Sequence, residues 1–180
     1  MCYFLFLASP LTLSEVRSML PPGLTADLLP LPDQRAFRRL APDAQTAARL
    51  IHGACSCDLV VQRRPVSRED EAVLRQRYRS QGLNREATIR ALENHRRALE
   101  ERVRPEGHWP KALAEFVVEH ARNAGPTLYL LRFSPDGALG ALDPATPSAA
   151  IDVGTVRAAP GSWLREDVPT MVSPAPRDVR

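Results

Sequence analysis

Hydrophobic and polar positions along this chain change period several times, and each change predicts an element. Residues 1–8 form an unbroken apolar run rich in aromatics, the pattern of a strand covered on both faces. Thr12 and Glu15 then have capping-box spacing, and Val16, Met19 and Leu20 share one helical face, which predicts a short helix stopped by Pro21, Pro22 and Gly23. Residues 24–31 end in Leu-Pro-Leu-Pro, so a strand there belongs at a sheet edge, because proline cannot donate to a ladder. Asp43 is placed to cap a second helix with Ala47, Ala48, Leu50 and Ile51 facing inward and Gly53 ending it in a left-handed turn. Residues 55–61 finish apolar and read as a second buried strand. Strand, helix, helix and strand with short connections predict a parallel crossover unit.

Ser67 with Asp70 opens a helix to about residue 80, and Asn84 after Gly82 caps a longer one to about residue 104, which makes a helical hairpin. Pro110 suits a first helical turn; Leu113, Phe116, Val117 and His120 line one face, and Gly125-Pro126 closes the element. Residues 127–133 read as a buried strand. Ser134-Pro135-Asp136-Gly137 is a turn sequence that predicts an antiparallel hairpin into residues 138–142. Short strands are expected at 150–157 and 168–172.

The fold class is therefore read as α/β: a central mixed, mainly parallel sheet with crossover helices, a projecting helical hairpin and a C-terminal β-hairpin. Residues 1–143 are expected to form one α/β domain that includes the hairpin at about 66–104. Residues 144–172 are read as a loosely ordered extension with short strands, and 173–180 as a disordered tail.

Composition narrows the classes. The chain has 180 residues, 44% hydrophobic and 25% charged, with a net charge of +3, which supports a packed core and argues against disorder throughout. No run approaches the roughly 18 apolar residues of a membrane span, so no membrane is expected. The 24 basic side chains include a single lysine, Lys111, a skew shared along the whole chain. Positive charge concentrates in the hairpin, where residues 60–105 hold 12 arginines against seven acids. Arg85, Arg90 and Arg97 there could meet phosphate, but no aromatic platform accompanies them and Arg96 breaks the apolar stripe, so nucleic acid is disfavoured as a partner. A homodimer through Ile89, Leu92, Leu99 and Val103 is the alternative use of that surface.

The three cysteines are too few for a disulfide framework, which points to a reducing cytoplasm. In extended chain Cys55 and Cys57 point the same way. If their strand lay beside the first, Cys2 would join them at one end of the sheet, with His52 as a fourth donor. Cys2, His52, Cys55 and Cys57 are therefore the candidate metal ligands, for zinc or another thiophilic metal such as copper(I) or an iron–sulfur cluster. The one-residue gap between Cys55 and Cys57 departs from the two-residue gap common in zinc knuckles. The competing readings are small buried cysteines at strand starts and a reactive thiol assisted by His52. The Met1-Cys2 start also resembles that of N-terminal-nucleophile amidohydrolases, including class II glutamine amidotransferases. That resemblance implies a Cys2 nucleophile with its own amine as base once Met1 is removed; the helix after the first strand and the missing glycine after Cys2 depart from it. His120 reads as a core histidine, Glu115 and Glu119 as a solvated face, and phosphate-binding glycine loops and the Gly-x-Ser-x-Gly elbow are absent from the sequence.

Overall fold

The structure, a computed structural model, describes residues 2–59, 68–80, 82–102, 108–134, 137–140, 142 and 148–175. The chain divides into two compact units, Met1–Val60 with Glu106–Arg180, and Val61–Pro105.

The first unit is a six-stranded sheet flanked by helices. Its strands are β1 (Cys2–Ser9), β2 (Leu24–Leu28), β3 (Thr46–His52), β4 (Thr127–Ser134), β5 (Ala149–Asp152) and β6 (Thr170–Ser173), in the order β2-β3-β1-β4-β6-β5. The aromatic run predicted as a doubly covered strand is β1, and it lies near the middle of the sheet. Leu5 and Leu7 face one apolar cluster while Phe4, Phe6 and Ala8 face a second. The first cluster is covered by α1 (Leu13–Met19), α5 (Trp109–Ala124) and α6 (Val153–Ala158), through Val16, Leu113, Val117 and Val156 among others. On the opposite face Phe37 of α2 (Leu31–Arg38) and Leu139 complete the second cluster.

Several local signals act as predicted. Thr12 and Glu15 form a reciprocal capping box: Oγ1 accepts from the Glu15 N–H at 3.3 Å and Oε2 from the Thr12 N–H at 2.8 Å. β2 is an edge strand, and Arg17 of α1 donates through Nε and Nη2 to its Ala26 carbonyl at 3.0 and 2.8 Å, which occupies one carbonyl of that edge. Leu-Pro-Leu-Pro ends β2 and starts α2, with proline in the first turn.

The sheet is mostly antiparallel, and this corrects the expected mainly parallel crossover. β1 pairs antiparallel with β3 and β4, and β5–β6 is the parallel pair among the described strands. The error lies in residues 43–51, predicted as a helix; 46–52 is β3. Ala47, Ala48 and Leu50 favour helix intrinsically, but here they are fully buried in a strand bonded on both sides, to β2 and to β1. Tertiary pairing outweighs a propensity difference of a few tenths of a kcal/mol per residue. The strand predicted at 55–61 is a series of turns through residue 59, and 60–61 lie outside the described residues.

The predicted hairpin into 138–142 is also absent, since residues 137–140 and 142 are irregular. Side chains serve the backbone of this segment in place of a ladder. Arg49 Nη1 donates to the Gly137 carbonyl at 3.0 Å, Arg132 Nη1 to the Leu139 carbonyl, and the Leu139 N–H reaches Asp33 Oδ2 at 3.4 Å. The partner of β4 on that side is β6 instead. Residues 149–172, expected within a loosely ordered extension with short strands, contain β5, α6 and most of β6 and bury Val153, Val156, Trp163, Leu164 and Val172. The strand expected over 150–157 stops at Asp152, whose carboxylate accepts from the Thr155 N–H at 2.8 Å and caps α6. Of the tail expected at 173–180, Ser173 belongs to β6 and 176–180 lie outside the described residues.

The second unit contains the predicted helices, α3 (Arg68–Ser80) and α4 (Arg85–Arg102), with Asn84 Oδ1 accepting from the Ala87 N–H at 2.9 Å. Of the apolar residues expected to meet a second subunit, Leu92 is buried within the fold and Ile89 is 47% exposed. The Leu99 side chain and Val103 lie outside the described residues. Among the described residues no helix is long and apolar enough to cross a membrane.

His120 is fully buried, as the core reading predicts, with Nε2 2.9 Å from Ser9 Oγ and Nδ1 2.9 Å from the Tyr129 hydroxyl. Burial lowers its pKa from the ordinary 6.5 to about 4. Because the unfolded chain takes up the proton first, this group destabilises the fold as pH falls from about 6.5 toward 4, by about 3 kcal/mol in total. Its contribution is fully retained above pH 6.5 and does not change below 4. Denaturant unfolding from pH 7 to 4 should show a steeper loss for the wild type than for His120→Gln; equal pH slopes would contradict a neutral buried imidazole.

Candidate metal centre

The centre begins where β1 and β3 part. Their ladder runs from Ser9–Thr46 to Leu5–Leu50, which leaves the start of β1 without its neighbour. β3 ends at His52, and the chain turns back through Gly53 and Ala54, with His52 N–H donating to the Cys55 carbonyl at 2.8 Å. Gly53 has φ 63° and Ala54 a negative φ, the glycine-first arrangement of a two-residue type II′ loop. The returning arm of this loop carries Cys55, Ser56 and Cys57 against the free end of β1.

Ser56 makes the attachment. Its N–H donates to the Tyr3 carbonyl at 2.9 Å, its Oγ accepts from the Leu5 N–H at 2.8 Å, and the same hydroxyl donates to the Leu50 carbonyl at 2.5 Å. The side chain is fully buried and spans both strands at their fork. Cys57 Sγ accepts from the Tyr3 N–H at 3.4 Å. These bonds seat the segment against β1, with Cys55 and Cys57 close to Cys2 at its head.

The result is a trio. Sγ of Cys2, Cys55 and Cys57 all lie within 4.8 Å of one another. Cys2 and Cys55 are half-buried against the second apolar cluster, and Cys57 is exposed. None of the three is in a disulfide. The sequence-based expectation that these thiols meet at one end of the sheet holds, although the route is a hairpin and not a parallel neighbour.

His52 is not brought into this group. In β3 it follows Leu50 on the face of the first cluster, while Cys55 and Cys2 lie against the second. Its Nδ1 is 3.1 Å from Asp58 Oδ2, and its ring lies 4.3 Å from that of Trp109, which also stacks on His108 at 4.9 Å. Glu115 is an exposed partner of Lys111 at 3.9 Å, and Glu119 is exposed on the same helix. Comparison with family models, with curated proteins and with solved structures finds no match to this chain. The chemistry therefore rests on the residues alone.

Sequence reasoning missed two participants. Ser56 was read only as the spacer between two cysteines, and its clamp depends on the β1–β3 fork. Asp58 joins the two arms of the loop by facing His52 across it, at positions six residues apart.

The electrostatics disfavour a free nucleophile. Burial of the sulfur, opposed by the Tyr3 N–H and reinforced by Cys55 and Cys2, pushes the Cys57 thiol up to about 12. At pH 8 that leaves roughly one thiolate in 10⁴ molecules. Iodoacetamide labelling of metal-free protein, mapped by cysteine, should show Cys57 reacting slowly and about tenfold faster per pH unit from 8 to 10. A rate that levels off near pH 8.5 would identify an ordinary thiol.

Ser56→Ala would orphan the Leu5 N–H and remove the donor to Leu50, both in a dry site. It should cost about 1–3 kcal/mol in denaturant unfolding. A loss below about 0.5 kcal/mol, within the range of ordinary surface changes, would show that the clamp is dispensable.

Proposed function

We propose that Cys2, Cys55 and Cys57 bind one thiophilic metal ion, and that this centre is the functional focus of the protein. The observation that carries the reading is the mutual approach of three sulfur atoms within 4.8 Å, drawn from the head of one strand and from a loop 53 residues later. Tetrahedral zinc with Zn–S of about 2.3 Å needs sulfurs about 3.8 Å apart, so the trio would close by at most about 1 Å. Cys57 is exposed and lies in a turn, where such an adjustment is cheap.

The raised Cys57 pKa supports the same reading. Burial, reinforced by the neighbouring Cys55 and Cys2, keeps Cys57 protonated until a cation offsets the charge. Metal binding would therefore release protons and strengthen as pH rises. Soft sulfur donors select zinc or copper(I) over magnesium or calcium. Three closely spaced free thiols suit a reducing compartment, and the reading puts the protein in the cytoplasm. A reactive-thiol role for Cys57 is the weaker reading, because it needs the thiolate that burial suppresses there.

Elemental analysis of untagged protein purified anaerobically should give near one zinc or copper per chain. Cys55→Ser/Cys57→Ser should reduce that content at least tenfold while leaving the far-UV circular dichroism intact. Metal-free wild-type protein that also fails to take up added zinc or copper(I) would overturn the reading.

A further inference from the structure

We infer that the metal held by this trio keeps its fourth coordination position open, for a water that a neutral nitrogen donor can replace. The inference rests on the metal-binding reading and adds the ligand class the site takes. Cys2, Cys55 and Cys57 supply three donors, one short of a tetrahedron, and among the described residues no His, Asp or Glu belongs to the same group. The nearest imidazole in sequence is turned away. His52 lies against the other apolar cluster, its ring tilted at 39° to that of Trp109 with centroids 4.3 Å apart and its Nδ1 3.1 Å from the Asp58 carboxylate. Gly23 lies beside both rings, where a Cβ would stand 3.3 Å from Trp109 Cη2 and 3.8 Å from His52 Cδ2. Cys57 is exposed, which leaves a solvent-facing side to the trio.

Charge selects the donor. A divalent ion with three thiolates carries a net charge of −1, and a fourth anion would raise it to −2. The described arginines on the central strands do not offset it: Arg49 is committed to Asp27 and the Gly137 carbonyl, and Arg132 to Asp167 and the Leu139 carbonyl. A neutral imidazole or amine replaces water with no change in charge. Three thiolates also donate enough electron density to blunt the acidity of bound water, so the site favours ligand exchange over hydrolysis. His52 in this account is a positioning residue. Its pairing with Asp58 ties the two arms of the loop that presents Cys55 and Cys57.

Cobalt(II) substitution reads the fourth position directly, because its d–d absorption changes with each ligand. Titrating imidazole into the cobalt protein should shift the d–d envelope saturably at one equivalent per metal. His52→Ala should give the same starting spectrum and the same shift, with cobalt bound more weakly. A wild-type spectrum unmoved by imidazole, with His52→Ala altering the starting spectrum, would overturn the inference by making His52 the fourth ligand. A spectrum unmoved in both proteins would overturn it by showing a closed site, and would leave the three-thiolate centre standing. Failure of cobalt to bind at all would remove the metal reading and this inference together.

Discussion

The hydroxyl of Ser56, buried between β1 and β3 where they separate, is the interaction on which the functional end of the sheet depends. A sheet that forks leaves backbone N–H and C=O groups without partners, and each buried orphan costs about 1–3 kcal/mol. Ser56 takes one such donor from Leu5 and satisfies one acceptor on Leu50, while its own backbone reaches Tyr3. The clamp extends the pairing of β1 past the point where β3 leaves it. It also fixes the residues on either side. With Ser56 seated in the fork, Cys55 and Cys57 on either side of it are brought close to Cys2.

A small rigid loop thus converts strand geometry into a ligand set. Gly53 opens the turn, Ser56 closes it on the sheet, and the His52–Asp58 pair holds its two arms. Burial of its sulfur makes Cys57 a poor acid, and its neighbours Cys55 and Cys2 add to the effect. The three neighbouring sulfurs offer a soft cation a ready-made ligand set. A stable sheet beneath limits how far the sulfurs can separate.

Much of this was legible in the sequence where local chemistry decides structure. The Thr12–Glu15 box, the Asn84 cap, the edge position of β2, and the buried runs of β1 and β4 all follow from nearest-neighbour rules. β3 was not legible, because Thr-Ala-Ala-Arg-Leu-Ile-His is neither alternating nor β-branched through most of its length. Its strand conformation comes from two neighbours, which no local signal contains. That one misreading changed the sheet from antiparallel to parallel and placed His52 at a helix end. The thiol trio survived it because both topologies set the Cys-x-Cys segment at the head of β1. His52 is not brought to the thiols, since in β3 it follows Leu50 on the face of the first cluster. The 137–140 segment misled for the opposite reason: its turn signal is real, with the Gly137 N–H reaching Ser134 Oγ at 3.1 Å, yet arginine side chains take its carbonyls.

The most direct measurement of the central claim is X-ray absorption at the edge of the bound metal, zinc or copper. For zinc, the account predicts three sulfur scatterers at about 2.3 Å and one lighter atom. A shell with four sulfurs, or with one or none, would contradict a centre built from Cys2, Cys55 and Cys57.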